Sequence, residues 1–431
     1  MTDQPLPQFT DEGATVIRSR PRTAEPSARP VDVTRAATQR RGLLGTIDLP
    51  IVVVVALLLS IGGMMVYSTT FDWALQDFGS ETFIFMQHVR NMGIGLILLV
   101  LLMLIDYRIW KRFAALGLLL TIGSLIAVLV FSDQVFGARR SFLNGSYQPG
   151  ELAELTVIVY LAAWMSSKKT KVGSLFGGLI PFAVVIGIVC ALVMLQPDLS
   201  TAATIFLVSG MLFFLAGANL YYLSVIGLVM GAGGFILSQQ LSYAQDRVSS
   251  FTAGLTDLTQ TAYHAQQAII AFLNGGWTGV GLGQGRQKFG FLPAPHTDSI
   301  FAVIGEELGV IGATFVVIMF IIFVWRGLSI ARRARDPFGS LLAAGITLWV
   351  ISKALMNIAV MLSLVPPTGV ALPFISFGGS SLVVVMAGAG LLLSISRVTT
   401  LTQTPEGRGA RADLDRGWGN RWSRLSGAGR R

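Results

Sequence analysis

Charge is scarce in this chain. Of its 431 residues only 13% are Asp, Glu, Lys or Arg, against roughly 25% in an ordinary soluble domain. With 53% hydrophobic residues besides, the shortfall excludes a water-facing shell around most of the chain and points to lipid. Cysteine is scarcer still. The single Cys190 sits in an apolar run, which excludes an intramolecular disulfide and reads as a buried thiol. Three histidines, His88, His264 and His296, lack the spacing of a structural zinc site. The first 46 residues hold no apolar core of the length a cleavable signal peptide needs. A formal net charge of +9 does not imply a nucleic-acid partner, because most Arg and Lys gather in two tails and a few short loops. There the excess reads as an orientation signal.

What is present is a series of long apolar runs. A helix needs about 20 apolar residues to cross the hydrocarbon core. That ruler predicts an all-α polytopic membrane protein with about ten spans, near 48–70, 84–105, 112–132, 151–167, 175–195, 199–217, 220–240, 298–325, 339–364 and 377–398. Breakers such as Asp106-Tyr107-Arg108, Gln196-Pro197-Asp198 and Pro366-Pro367 fall between them. The membrane domain then covers 47–399, and a large loop, 241–297, joins spans seven and eight. Residues 1–46 and 400–431 read as disordered basic tails.

Charge tests the count. Lys111 and Arg112 follow span two, Lys168, Lys169 and Lys171 follow span four, and Arg326, Arg332, Arg333 and Arg335 follow span eight. Each cluster lies an even number of crossings from the basic N-terminal tail, so the positive-inside bias puts both termini in the cytoplasm and the large loop outside. Arg139-Arg140, Arg247 and Arg286 with Lys288 are exceptions that this topology places outside. Arg139 and Arg140 stand at an outer interface, where two guanidinium forks suit phosphate oxygens.

The large loop carries Gly279-Val280-Gly281-Leu282-Gly283-Gln284-Gly285, and Ala265–Leu273 is apolar enough to lie along the membrane as an amphipathic helix. The glycine string lacks the flanking strand and helix of a dinucleotide site, so tight turns packed against the membrane are expected. The loop ends at His296-Thr297-Asp298, where span eight begins. By position alone Asp298 reads first as a helix cap or dipole carboxylate. Glu306 and Glu307 follow eight and nine residues on, roughly 12–14 Å deeper along a continuous helix. Carboxylates at that depth face a protein interior or a wet cavity. With Glu151, Glu154, Asp198 and the counter-charge Lys353 inside span nine, they describe a polar cavity that opens outward.

Several motifs together resemble one family. Gly275–Gly309, with Gly-Gly-Trp, Gly-Val-Gly-Leu-Gly, Gln287-Lys288, Leu292-Pro293, His296-Thr297-Asp298 and Gly305-Glu306-Glu307-Leu308-Gly309, is similar to the signature loop of the SEDS family (FtsW, RodA and SpoVE). So is Asn357–Ser381, ending Leu372-Pro373-Phe374-Ile375-Ser376-Phe377-Gly378-Gly379-Ser380-Ser381. Gly137-Ala138-Arg139-Arg140, Gln148-Pro149 with Glu151-Leu152-Ala153, and Gln196-Pro197-Asp198 match three more motifs in the family's order. Gly283, Gln287-Lys288 and the long N-terminal tail lean toward the FtsW branch.

The resemblance implies a ten-span peptidoglycan glycosyltransferase of the bacterial cytoplasmic membrane that polymerises lipid II on the outer face. Its implied partners are a class B penicillin-binding protein transpeptidase, other division or elongation proteins, and membrane lipid. It maps the essential aspartate to Asp298, expected as general base. Arg139, Arg140 and Lys288 are expected to hold pyrophosphate, with His296, Glu306, Glu307, Lys353 and Ser380 as further substrate-binding candidates. No protein metal site is expected, though outer carboxylates could hold a divalent cation, Mg²⁺ or Mn²⁺, through water.

The chain departs from the family at span four, where Gly150 replaces Ser and Glu154 replaces Lys, and at Lys353, where Gln is common. A charge exchange between Glu154 and Lys353 would account for both. Ser299 stands where Phe is usual. A lipid flippase or a non-catalytic scaffold of the division complex would suit ten helices too. A flippase fits less well because no internal repeat is evident and the polar residues gather at one end. A scaffold leaves the intramembrane Glu306-Glu307 without a role.

Overall fold

Proline, glycine and aspartate set the helix boundaries in the computed structural model, which describes residues 47–131, 147–167, 170, 172–219 and 263–401, with scattered residues between 221 and 252. The tails, Arg139 and Arg140, Lys168, Lys169 and Lys171, and most of the seventh expected span and the first part of the large loop lie outside the described residues. Apart from an isolated bridge at Tyr147, the regular structure among the described residues is helical. In chain order the helices are α1 (Leu49–Phe78), α2 (Phe83–Leu104), α3 (Arg108–Phe131), α4 (Pro149–Met165), α5 (Ile180–Met194, entered through a π turn at Leu175–Leu179), α6 (Leu199–Leu215), α7 (Tyr263–Gly275), α8 (Ile300–Arg333), α9 (Pro337–Met361) and α10 (Gly379–Leu401).

Seven of these segments are long and apolar enough to cross a membrane: α1, α2, α3, the π turn with α5, α8, α9 and α10. α10 is the most enclosed and packs chiefly on α2. Helices α4 and α6 have 17 residues each, about 26 Å at 1.5 Å per residue, short of the roughly 30 Å core. Pro149 follows Gln148 at the start of α4. Asp198 caps α6 by accepting from Thr201 N at 3.0 Å. Both short helices therefore stop beneath the same end of the bundle.

Two helices differ from expectation. α1 runs to Phe78, eight residues past the expected limit, before Gly79 ends it in the left-handed region at φ 68°. The polar letters after Tyr67 suggested an end to the apolar span, yet Ser68, Asp72 and Gln76 are four apart and form one stripe of a continuing helix. The second difference is in α8, which is not one straight helix. Gly309 has φ 68° and ψ −170°, a conformation essentially restricted to glycine. The break frees backbone groups, and the glycine string takes them up. Val310 N donates to Gly276 O at 2.9 Å, Ile311 N to Trp277 O at 3.2 Å, Val280 N to Glu306 O at 3.0 Å and Gly281 N to Glu307 O at 3.1 Å. A Cβ on Gly279 would stand 2.1 Å from Glu307 O. The string does form tight turns, but it packs against the broken helix.

At the other end of α8, Arg326 grips Asp48, just before α1, through Nε at 3.0 Å and Nη2 at 2.6 Å. Nη2 of Arg333 adds a longer contact at 3.4 Å. This bidentate pair ties the two helices together beyond their apolar stretches.

Candidate active site

A cavity of about 560 Å³ opens where α4 and α6 stop short. Gln148 and Glu151 of the α4 entry, Asp198 of the α6 cap, Lys353 of α9, Ser380 of α10 and the segment Pro366–Ala371 all line it, and Asp298 stands on its wall. Three helix N-termini, those of α4, α6 and α10, border this space. Ser380 Oγ accepts from Gln148 N at 3.1 Å, fastening the first turn of α10 to the entry of α4.

The residues before α8 are held by three successive carbonyls. His296 O accepts from Phe377 N at 2.8 Å, Thr297 O from Ser376 Oγ at 2.5 Å, and Asp298 O from Asn357 Nδ2 at 2.7 Å. Asn357 Nδ2 also donates to Val370 O at 2.8 Å, joining the opposite wall. Such support fixes a functional group without consuming it. The Asp298 carboxylate accepts from Thr297 Oγ1 at 3.1 Å and caps nothing: Ser299 is the N-cap residue of α8, and it makes no side-chain cap bond. Ser299, buried, instead donates to Pro293 O at 2.6 Å and meets His264 Nε2 at 2.6 Å. With its proton committed to Pro293, it accepts one from His264. The unusual serine thus ties α7 to the Asp298 segment.

Lys353 and Glu154, read as a possible exchange of charge, touch. Lys353 Nζ lies 2.8 Å from Glu154 Oε2 and 2.6 Å from Glu151 Oε2, and Trp349 Nε1 donates to Glu154 at 2.8 Å. Both glutamates are therefore engaged by one ammonium. Asp198 is engaged as well, by Thr201 N, Thr201 Oγ1 and Ser200 Oγ. Among the described residues, Asp298 is the one carboxylate on this cavity held neither by an ammonium nor by a helix start.

Other sequence candidates lie elsewhere. Glu306 and Glu307 are buried at 1% exposure each but do not line the Asp298 cavity. They face the loop, where the Glu306 carboxylate accepts from Arg286 N at 2.9 Å and Gln287 N at 3.2 Å. Glu307 takes Ser68 Oγ at 2.7 Å, Gly283 N at 3.0 Å and Lys288 Nζ at 2.7 Å. Nor is Lys288 the open rim cation that was expected. An ammonium has three protons, and those of Lys288 go to Glu307, Ser68 Oγ at 2.9 Å and Gly283 O at 2.8 Å. Arg139 and Arg140 lie outside the described residues.

His296 belongs to a second cavity, of about 570 Å³, between the end of α1 and the loop. Its ring sits between those of Trp73 and Phe377, with centroids 5.1 and 5.6 Å away, and its Nδ1 is buried without a partner. Burial lowers its pKa to about 4, against the opposing pull of Asp298. The imidazole is therefore neutral at neutral pH. Sequence reasoning missed this cavity's α1 wall, though the i, i+4, i+8 recurrence of Ser68, Asp72 and Gln76 signals it. Ser376, too, was unassigned. As for a divalent cation, no three His, Cys, Asp or Glu side chains converge among the described residues.

A bundle of membrane-length helices, with a clamped broken helix presenting a carboxylate to a polar cavity, defines a multi-pass membrane protein with a chamber at one end. The sequence model of the FtsW, RodA and SpoVE family, described as cell cycle protein, matches residues 49–401, and the chain belongs to that family. It is 36% identical over 355 residues to stage V sporulation protein E of Bacillus subtilis (strain 168), covering 81% of this chain and 97% of that protein. It is also 36% identical over 356 residues to a probable peptidoglycan glycosyltransferase FtsW of Geobacter sulfurreducens, covering 81% and 95%. Among solved structures, the fold is similar to a chain from a study of structural coordination of polymerization and crosslinking by a peptidoglycan synthase complex, with TM-score 0.67, 24% identity and coverage of 82% and 98%. It is also similar to the rod shape determining protein RodA of Thermus thermophilus, with TM-score 0.61, 24% identity and coverage of 81% and 97%.

Proposed function

We propose that this chain is a peptidoglycan glycosyltransferase that polymerises lipid II into glycan strands at the outer face of the bacterial cytoplasmic membrane, with both termini in the cytoplasm and Asp298 as general base. The carrying observation is that Asp298, pinned through its backbone, is the one described carboxylate on its cavity held neither by an ammonium nor by a helix start, its side chain taking a hydrogen bond from the neighbouring Thr297 hydroxyl. The family and its curated relatives supply the reaction class.

In the reaction, an acceptor sugar hydroxyl attacks the anomeric carbon of the donor. Asp298 takes the hydroxyl proton as the new glycosidic bond forms, and the bond to undecaprenyl pyrophosphate breaks. The described wall carries the four carboxylates Glu151, Glu154, Asp198 and Asp298 against one ammonium, Lys353, so the leaving pyrophosphate needs positive charge from elsewhere. The starts of α4 and α10 offer partial charges of the right sign. We assign the full charges to Arg139 and Arg140, which precede the cavity-lining Gln148 in the chain. The crosslinking partner would be a class B penicillin-binding protein transpeptidase.

The test is polymerisation of purified lipid II by the detergent-solubilised chain together with that partner. Detergent leaves no sealed compartment, so chain growth separates an enzyme from a flippase. Asp298→Asn keeps the shape and removes the base, and about 10²–10⁴-fold of the rate should be lost. Wild-type polymerisation by this variant would overturn the assignment.

A further inference from the structure

The second cavity is not used by the chemistry above. Its about 570 Å³ falls within the range of ordinary ligand pockets, roughly 300–1,000 Å³. Two kinds of group face it. Aromatic rings come from Phe71 and Trp73 of α1 and Phe289 of the loop; hydrogen-bonding groups come from Asp72, Gln76 and His296. Trp73 and Phe289 are both more than 40% exposed. Gln76 Nε2 donates to Asp72 at 2.8 Å, so amide and carboxylate sit side by side on one helical stripe.

Charge narrows the ligand class. The one lysine on this wall, Lys288, has all three protons committed inside the protein and lies 5.3 Å from the Phe71 and Phe289 ring centroids. A phosphate would find no open cation among the described lining residues. Ring faces beside an amide, a carboxylate and the unpartnered Nδ1 of His296 suit a neutral ligand with one apolar face and a rim of hydroxyls. That description fits a pyranose.

Position narrows it further. Ala294 lines both cavities, and two residues on, His296 is wedged between Trp73 of the second cavity and Phe377 of the first. The segment 294–298 is thus a shared partition with Asp298 on one side and His296 on the other. A polymerase joining sugars at Asp298 must lodge the neighbouring sugar of the strand somewhere. We propose that the second cavity, built by the stripe Ser68–Asp72–Gln76, Trp73, Phe289 and His296, is a saccharide subsite for the sugar unit flanking the one at Asp298. This rests on the polymerase reading and deepens it.

The probe is a lipid-free tetrasaccharide of alternating N-acetylglucosamine and N-acetylmuramic acid, its binding to the full chain in detergent followed by saturation-transfer NMR. Wild type should bind the tetrasaccharide. Trp73→Ala and Gln76→Ala should bind about tenfold more weakly, the loss of one ring or amide contact, and should yield shorter glycan strands from lipid II. Gln76 is exposed, so its variant carries the test if Trp73→Ala does not fold. Folded variants that bind the tetrasaccharide as wild type does, with strands of wild-type length, overturn the subsite and leave the polymerase reading intact. Trp73-dependent binding in a chain that makes no polymer sustains a saccharide site while the polymerase reading fails.

Discussion

Lys353 Nζ lies 2.8 Å from Glu154 Oε2, across two helices and 199 positions of sequence. The ammonium sits 2.6 Å from Glu151 too, and all three residues line the cavity that holds Asp298. Burying three charges is expensive, and removing one partner strands the others. Lys353→Glu alone, or Glu154→Lys alone, should destabilise the protein by about 3–5 kcal/mol. The exchanged double variant Glu154→Lys with Lys353→Glu restores opposite charges across the same gap and should recover much of the loss. Melting temperatures of the four proteins in one detergent close the cycle. Additive losses with no recovery would mean that the two side chains do not act as a pair.

Lys288 makes a sharper division between substrate binding and support. If its charge serves Glu307, Ser68 and Gly283, as the geometry has it, then Lys288→Met leaves a buried carboxylate unpaired and costs about 3–5 kcal/mol of stability. Lys288→Met combined with Glu307→Gln should regain part of that, because the second change removes the stranded charge. Had Lys288 held pyrophosphate, the single variant would raise the KM for lipid II and leave the melting temperature alone.

The membrane architecture was legible because lipid imposes a length on every span, and apolar runs of that length leave no other reading for α1, α2, α3, α8, α9 and α10. Asp298 was singled out only through the motif around it; by position it read first as a helix cap, and the cap position belongs instead to Ser299. Glu306 and Glu307 were read into the cavity of Asp298, which they do not line. The loop that receives them folds back onto the break at Gly309, and a glycine within an apolar run does not announce a left-handed residue. Lys353 illustrates the same limit. Its charge demanded a partner, but the choice among Glu151, Glu154 and Asp198 depends on which helices face one another.

His296 should make the protein sensitive to acid. Its pKa falls from 6.5 to about 4 on folding, chiefly through burial. Between these values the unfolded chain binds more protons than the folded one, so stability rises with pH there and is lost as pH falls from about 6.5 toward 4. The charge of Asp298 opposes the shift, and the ceiling is about 3 kcal/mol. His296→Gln should flatten the melting-temperature profile of the detergent-solubilised protein across that window. An unchanged slope in the variant would assign the acid sensitivity to other groups.

Gly309 is the position on which the loop, and through it the partition between the two cavities, depends. Alanine there meets two penalties at once. Its φ of 68° with ψ near −170° is strained for any residue with a Cβ, and that Cβ would stand 2.4 Å from Gly279 N and 2.5 Å from Trp277 O. The backbone can relieve both by straightening α8, but straightening withdraws Glu306 O and Glu307 O from Val280 and Gly281 and pulls the two carboxylates off the loop. Gly309→Ala should therefore lower stability by more than about 2 kcal/mol and raise amide hydrogen exchange across 276–288, while α2 and α10, which pack on each other, exchange as before. Gly63→Ala, inside α1, is the control. Nothing lies within 4 Å of the Cβ it would add, so its loop exchange should stay at the wild-type level. Equal protection of 276–288 in the Gly309 variant would show that the loop does not depend on the break in α8.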